Sequence, residues 1–340
     1  MTKRYLGNII TDTPTAPAGS YENDAASGVW SLAEAFAYTK AGLWPTAGNA
    51  APTGLFGGGA SQVTIEQLNL TTAGNSTDFG DLTLGTFGRR ALGSSTRGLW
   101  GGGELSGTKR DVIDFVTFAT AGNASDFGDL TVARQKAASF SSETRGLWAG
   151  GDPNSNVIDY VTIASAGNAT DFGDTTSSYV YSLSGMASPT RGVYGAGLWN
   201  GSVSNRMDYV TIASTGNGTD FGDLTQAAGN SGNGAVSSQT RGLFSCYENS
   251  GGETNVIEYV TIATTGNATD FGDLTDARSV SGGVSSSILA MWGAGQNASP
   301  SNVIDYVTIA TLGNAADWGD MQVLTSDFGS CSNAHGGLAA

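Results

Sequence analysis

Thr144-Arg145-Gly146-Leu147-Trp148-Ala149-Gly150-Gly151, then Val157-Ile158-Asp159-Tyr160-Val161-Thr162-Ile163, then Asp171-Phe172-Gly173-Asp174: three strings that recur in this order along the chain. The last, Asp-Phe/Trp-Gly-Asp, starts at Asp78, Asp126, Asp171, Asp220, Asp270 and Asp317, at spacings of 48, 45, 49, 50 and 47 residues. The middle string is degraded in its first copy, Ile65-Glu66-Gln67-Leu68-Asn69-Leu70. The glycine string is clearest from Thr96 to Gly103 and from Thr144 to Gly151, with weaker versions from Pro52, Thr190, Thr240 and Ile288. A fixed period of this size is the mark of a repeat architecture.

Each module reads as four short strands. In the module quoted above these are Lys136 to Ser142, Gly146 to Ala149, Val157 to Ala164 and the stretch around Phe172. β-Branched and aromatic residues mark the third strand, and Gly-Gly and Gly-Asn pairs punctuate the turns. Apolar residues fall on both faces of that third strand, as expected of a sheet covered on both sides. Four strands per unit and a glycine doublet point to a β-propeller. Six copies predict six blades. The first copy lacks a first strand before Gly54, and the stretch from Leu324 to Asn333 supplies a spare one. Its Asn333-Ala334-His335-Gly336 echoes Ser-Thr-Arg-Gly, so the ring is expected to close by pairing this strand with blade 1, removing two exposed sheet edges.

The module resembles the kelch repeat, which carries an arginine, an aromatic before Gly-Gly, a hydrophobic-Asp-aromatic strand and then a Trp. The matching residues are Arg145, Trp148, Gly150-Gly151, Asp159-Tyr160 and Phe172, with the Trp itself kept at Trp318. The resemblance covers residues 52–338 and implies an all-β, six-bladed kelch-like propeller over residues 51–340. It implies no activity.

Composition narrows the function. Lys plus Arg number 15 and Asp plus Glu 30, a net charge of −15. That balance argues against nucleic-acid binding, which needs a basic footprint, and against an anionic membrane surface. No run reaches the ~20 apolar residues of a membrane-spanning helix, so no membrane insertion is expected. No run near the start suits a signal peptide, so synthesis in a cytosol is expected. Cys246 and Cys331 are too few for a disulfide scaffold or a tetrahedral zinc site and are expected as free, buried thiols.

Eighteen of the acids sit at repeat positions. Six are the strand acids Glu66, Asp114, Asp159, Asp208, Glu258 and Asp305, and twelve are the paired aspartates of the Asp-Phe/Trp-Gly-Asp strings. A group repeated around a ring reads as scaffold. If buried, the strand acids need partners, for which Arg97, Arg145, Arg191 and Arg241 are candidates. The turn aspartates are expected to accept nearby backbone N–H groups; the alternative, a calcium site built on Asp-x-x-Asp, is the weaker reading. A copper oxidase of the galactose oxidase type needs two histidines, and this chain has one, His335. A sialidase needs an arginine triad with a Tyr/Glu pair standing outside the repeat, and none is present. No catalytic residue, metal or cofactor is expected, and His335 reads as an exposed, inert side chain.

The modules differ most in the loop after the glycine doublet: Glu104 to Arg110, Asp152 to Ser155, Leu198 to Ser204, Tyr247 to Thr254 and Gln296 to Ser301. Loops on a rigid scaffold carry recognition. Trp199, Asn200, Tyr247 and Asn249 are the residues read as partner- or receptor-contacting.

Residues 1–50 lie outside the repeat and read as an extended arm bearing one short helix. Ser31 with Glu34 forms a capping box, Gly42 is a C′ glycine and Pro45 blocks continuation, so the helix spans about 32–41. Trp30, Leu32, Phe36 and Trp44 then form an apolar attachment cluster. The string Ser27-Gly28-Val29-Trp30-Ser31-Leu32, the helix and the closing Trp44-Pro45 resemble the N-terminal region of structural proteins of tailed bacteriophages. The repeat from Ile257 to Leu274 is similar to repeats in virion proteins of cyanophages and other marine phages. These resemblances imply a non-enzymatic virion protein, assembled in the bacterial host cytoplasm in multiple copies per particle, with other virion proteins as partners through the arm. A tail fibre or tail-associated adhesin contacting a host surface glycan or protein is the favoured expectation. The alternatives are a capsid decoration protein and an intracellular kelch-type adaptor.

Overall fold

The computed structural model describes residues 52–338, apart from 61, 154, 178, 179, 230, 231, 233 and 324. The expected arm, the expected helix over about 32–41 and the expected cluster of Trp30, Leu32, Phe36 and Trp44 fall outside the described residues. Among the described residues every regular element is a strand, and the strands form a six-bladed β-propeller.

Blade 3 is the simplest blade. Its strands Ala138–Ser141, Arg145–Ala149, Val157–Thr162 and Thr170–Asp174 pair antiparallel in chain order from the axis outward. On the third strand Ile158, Asp159 and Val161 are buried, Val157 and Tyr160 half-buried and Thr162 exposed. The fourth strand carries a one-residue bulge. Ile158 pairs with Gly173 and Asp159 with Asp171, so Phe172 is skipped. Its ring turns into the core, edge-on to Tyr160 at 5.9 Å. The same register shift recurs in the other five blades, which is what the Asp-Phe/Trp-Gly-Asp string encodes.

That string also makes half of the joint between blades. The asparagine of each Gly-Asn pair accepts, through Oδ1, the backbone N–H of the second aspartate in the preceding blade. The pairs are Asn123 with Asp81, Asn168 with Asp129, Asn217 with Asp174, Asn267 with Asp223, Asn314 with Asp273, and Asn75 with Asp320, all at 3.0–3.2 Å. The intervening glycine is required by close approach: a Cβ on Gly80 would lie 2.3 Å from the carbonyl oxygen of Gly122. The expectation that the turn aspartates cap local N–H groups therefore needs correcting. Asp317 does so, accepting from Gly319 at 3.1 Å, but the six-fold role belongs to the asparagines.

The ring closes as the repeat count predicts. Blade 1 has the order Thr77–Asp81, Thr64–Asn69, Thr53–Gly57, Gly329–Ser332, the last strand being innermost. Asn333 stands in for the missing turn, its Oδ1 accepting from Thr53 N at 2.8 Å. The six innermost strands contact one another in a closed circle. Serines lace them: Ser139 and Ser141 donate to Ala91 O and Gly93 O, Ser237 to Ala187 O, Ser285 to Ser237 O, and Ser330 and Ser332 to Gly283 O and Ser285 O, at 2.7–2.9 Å. This is the use of the Ser/Ala/Gly-rich first strand. Small side chains let six strands converge, and hydroxyls satisfy carbonyls that neighbouring blades would otherwise bury unpaired.

Candidate functional site

The propeller has two unlike rims. On one, short turns such as Ser94–Thr96 and Ser142–Thr144 join first to second strands. The opposite rim carries the divergent loops and is the candidate site. Three of those loops are two-stranded hairpins: Glu104–Leu105 with Thr108–Lys109, Glu248–Asn249 with Gly252–Glu253, and Gln296–Asn297 with Ser299–Pro300. In blade 4 the sheet itself extends outward as a long hairpin, Arg191–Trp199 with Ser202–Thr211. Its tip is Asn200-Gly201, both with positive φ, the geometry that gives Asn-Gly its place in two-residue hairpin turns. Antiparallel bridges from Phe87 to Glu104, Gln135 to Asp152, Gly229 to Glu248 and Ser279 to Gln296 pin the loops to the preceding inter-blade segments.

The loop residues singled out from sequence divide. Asn200 is exposed at the tip and accepts from Ser177 Oγ at 2.9 Å. Asn249 is half-buried, donates to Gln226 Oε1 at 2.9 Å and accepts from Gly251 N. Trp199 and Tyr247 are not surface aromatics. Trp199 packs in the core of blades 3 and 4 under the Arg206 guanidinium, 5.3 Å from its ring centre. Tyr247 is fully buried, and its hydroxyl donates to Glu258 Oε1 at 2.9 Å and accepts from Gln226 Nε2 at 3.2 Å. Neither presents a ring for a ligand to stack on. Sequence cannot separate an exposed loop aromatic from one folded back as a core plug.

The strand acids all lie buried beneath this rim. Asp114 pairs with Arg89 at 2.7 Å, Asp159 with Arg134 at 2.9 Å and Asp305 with Arg278 at 2.9 Å, each arginine likewise buried. Asp208 pairs with the 38%-exposed Arg206 at 3.0 Å. Burial pushes the Asp208 carboxyl above its ordinary value, and Thr176 and Arg206 only partly oppose it. Among the described residues, Glu66 and Glu258 have no arginine partner. Glu66 accepts from Ser76 Oγ, Gln322 N and Val323 N, and Glu258 from Tyr247, Thr225 N and Thr225 Oγ1.

The arginines predicted to serve these acids do something else. Arg97, Arg145, Arg191 and Arg241 donate to Ile163 O, Ile212 O, Ile262 O and Ile309 O of the next blade at 2.8–3.0 Å. Each also lies 4.3–5.0 Å over the aromatic ring of its own third strand. The true partners Arg89, Arg134 and Arg278 sit in inter-blade segments, at positions that do not recur in every module. In blade 3 the glycine doublet gives the arginine room: a Cβ on Gly151 would lie 2.9 Å from Arg134 Cδ.

On this rim blades 2 and 3 are charged and tied together by Lys109, which bridges Glu104 and Asp152. Although burial pulls the Lys109 ammonium down, these two carboxylates outweigh it and raise its affinity for the proton. The hairpin tips of blades 4 to 6 instead expose Asn200, Ser202, Ser250, Asn297 and Ser299, hydrogen-bonding groups without charge.

The axial cavity, about 50 Å³, is lined by the laced serines with Leu92, Phe140, Met186, Val236, Val284 and Cys331. Burial raises the thiols of Cys331 and Cys246, both free. His335 is not the exposed, inert side chain expected from sequence. It sits at the turn-rim mouth of this cavity, bonded to Gly93 O at 2.8 Å. No protein-family model matches the chain, and no curated protein matches it.

Proposed function

We propose that the protein is a non-enzymatic structural protein of a tailed-bacteriophage particle, a tail fibre or tail-associated adhesin that offers a rigid kelch-like propeller to the host surface. The observation that carries this reading is the opposition of the two rims. The chain enters the ring at Thr53, whose strand begins at the turn rim, where Gly54 pairs with Ser332. All the divergent hairpins stand on the other rim. We read the rim of divergent hairpins as the face offered outward, and a closed ring with pinned loops suits repeated contact better than induced fit.

The sequence resemblance of the Ser27–Pro45 region to phage structural proteins supports the particle, and the rim supports binding over catalysis. The uncharged tips of blades 4 to 6 suit a neutral partner, a glycan or a polypeptide loop, read through hydrogen bonds. Electron cryo-microscopy of purified particles tests the reading: density for the propeller at the tail, hairpin rim outward, is the expected result. Density on the capsid would make it a decoration protein, and absence from particles would leave the intracellular adaptor. Deleting residues 1–48 is expected to leave a cooperatively melting β-protein that no longer enters particles.

A further inference from the structure

The segment Asn333–Leu338 leaves blade 1 and lies across the turn-rim mouth of the axial cavity. Gly336 N donates to Ser237 O of blade 5 at 2.9 Å, and Leu338 O accepts from Gln239 Nε2 at 3.1 Å. On the other side, His335 Nε2 meets Gly93 O of blade 2 at 2.8 Å and Ser141 Oγ of blade 3 at 3.3 Å. The segment is seated tightly. A Cβ on Gly337 would lie 1.8 Å from Ser141 O, and one on Gly336 2.0 Å from Ser238 O.

The imidazole's partners fix its proton. A carbonyl only accepts, so Nε2 carries the hydrogen that reaches Gly93 O. Gly337 N–H only donates, at 3.0 Å, so Nδ1 offers a bare lone pair. A second proton, on Nδ1, would set two donors face to face and break the bond that holds Gly337 down. The elements packed against the segment from blades 1, 2 and 5 bring Ser332, Gly93, Ser237 and Gln239, none of which titrates. Blade 3 brings Glu143, whose carboxylate is held by Ser95 N at 3.1 Å.

We propose that Asn333–Leu338 is an acid-released plug, seated by neutral His335 and lifted from the axial mouth when that imidazole takes a second proton. Burial holds the imidazole below its ordinary value, against the upward pull of Gly93 O and Glu143. The docked state is therefore fully favoured above ~6.5, the ordinary histidine value, and loses ground as pH falls through the lowered one.

His335 is the chain's only histidine, so a ¹³C-histidine-labelled full chain gives one imidazole signal to titrate by NMR. The expected midpoint lies below ~6.5. Amide exchange at Gly336, Gly337 and Leu338, corrected for the intrinsic pH dependence, should rise about tenfold per pH unit between ~6.5 and that midpoint, because undocking takes up one proton. Exchange in the innermost strands should stay flat. His335→Gln, which keeps a donor and an acceptor, should remove the pH response. Gly337→Ala should undock the segment at every pH and return the imidazole to ~6.5. A wild-type midpoint at or above ~6.5, a titration with tail exchange unchanged, or a pH response that survives His335→Gln would each overturn the proposal.

Discussion

Blades 3 and 5 bury a carboxylate at the same place on the third strand and satisfy it with different chemistry. In blade 3, Asp159 meets Arg134, and Gly151 gives the arginine stem its room. In blade 5, Tyr247 occupies the place of that glycine, its ring fills the space, and its hydroxyl reaches the longer Glu258. The two solutions are not equivalent. Arg134 Nε and Nη1 find no partner among the described residues, whereas the Tyr247 hydroxyl both donates and accepts. What the modules share is a satisfied carboxylate that ties the third strand to the segment entering the blade. The ion pair is one way of satisfying it.

The comparison breaks most readily at Asp159. Asp159→Ala leaves a buried guanidinium without its counter-charge and is expected to cost about 3–5 kcal/mol in denaturant unfolding. Adding Arg134→Met removes that stranded charge and should recover a substantial part of the loss. If the double variant is no better than the single one, the carboxylate is needed for its bonds to Thr131 rather than for the arginine. Glu258→Ala strands no cation. Its expected cost is smaller, about 1–3 kcal/mol for the donors left unpaired, and a loss equal to that of Asp159→Ala would erase the distinction between the blades. Tyr247→Phe keeps the packing and removes both hydrogen bonds of the hydroxyl, to Glu258 and from Gln226, for about 1–2 kcal/mol.

Blade 4 sharpens the comparison through pH, because its arginine is partly exposed and screened. The raised Asp208 carboxyl binds its proton more readily folded than unfolded. Its contribution is therefore least favourable at neutral pH and improves as pH falls through the raised value toward the ordinary ~3.9. Asp208→Asn should shift stability at pH 7 by less than about 1 kcal/mol and flatten that part of the profile. Asp327 runs the other way. Burial would raise it, but Arg90 at 2.8 Å and Lys136 at 3.1 Å outweigh burial and hold the carboxyl below its ordinary value. Its contribution is present above ~3.9 and is lost as pH falls through the lowered value, a loss that Asp327→Asn should abolish.

The architecture was legible in the sequence because each repeated string performs one backbone task in every blade. The Asp-Phe/Trp-Gly-Asp bulge is a local consequence of local residues, whereas the Gly-Asn joint and the serine lacing bond neighbouring blades and show in the sequence only as recurring strings. The closing strand was legible for the same reason, as a first strand out of place. The partners of the strand acids were not. Arg89 and Arg134 reach their carboxylates from non-equivalent positions, and Tyr247 replaces both an arginine and a glycine, so no alignment of modules reveals the pairing. The four arginines that do recur serve the carbonyls of the next blade, which a reading confined to one module misses. His335 was misread for a related reason, since its partners come from blades 2 and 3, about 200 residues earlier.

The pairing of Gly329–Ser332 with Thr53–Gly57 also sets a timetable. During synthesis, blade 1 is the first blade to emerge and must wait, one strand short and with an open edge, until Gly329–Ser332 has left the ribosome. Blades 2 to 6 receive their four strands in sequence and can form as they appear. Any interruption before residue 329 therefore leaves the Thr53–Gly57 edge of blade 1 unpaired and open to pairing with another chain. The last of the blade strands to be made is the one that turns a row of blades into a ring, so the arrival of that strand and the covering of the first blade's inner edge are a single event.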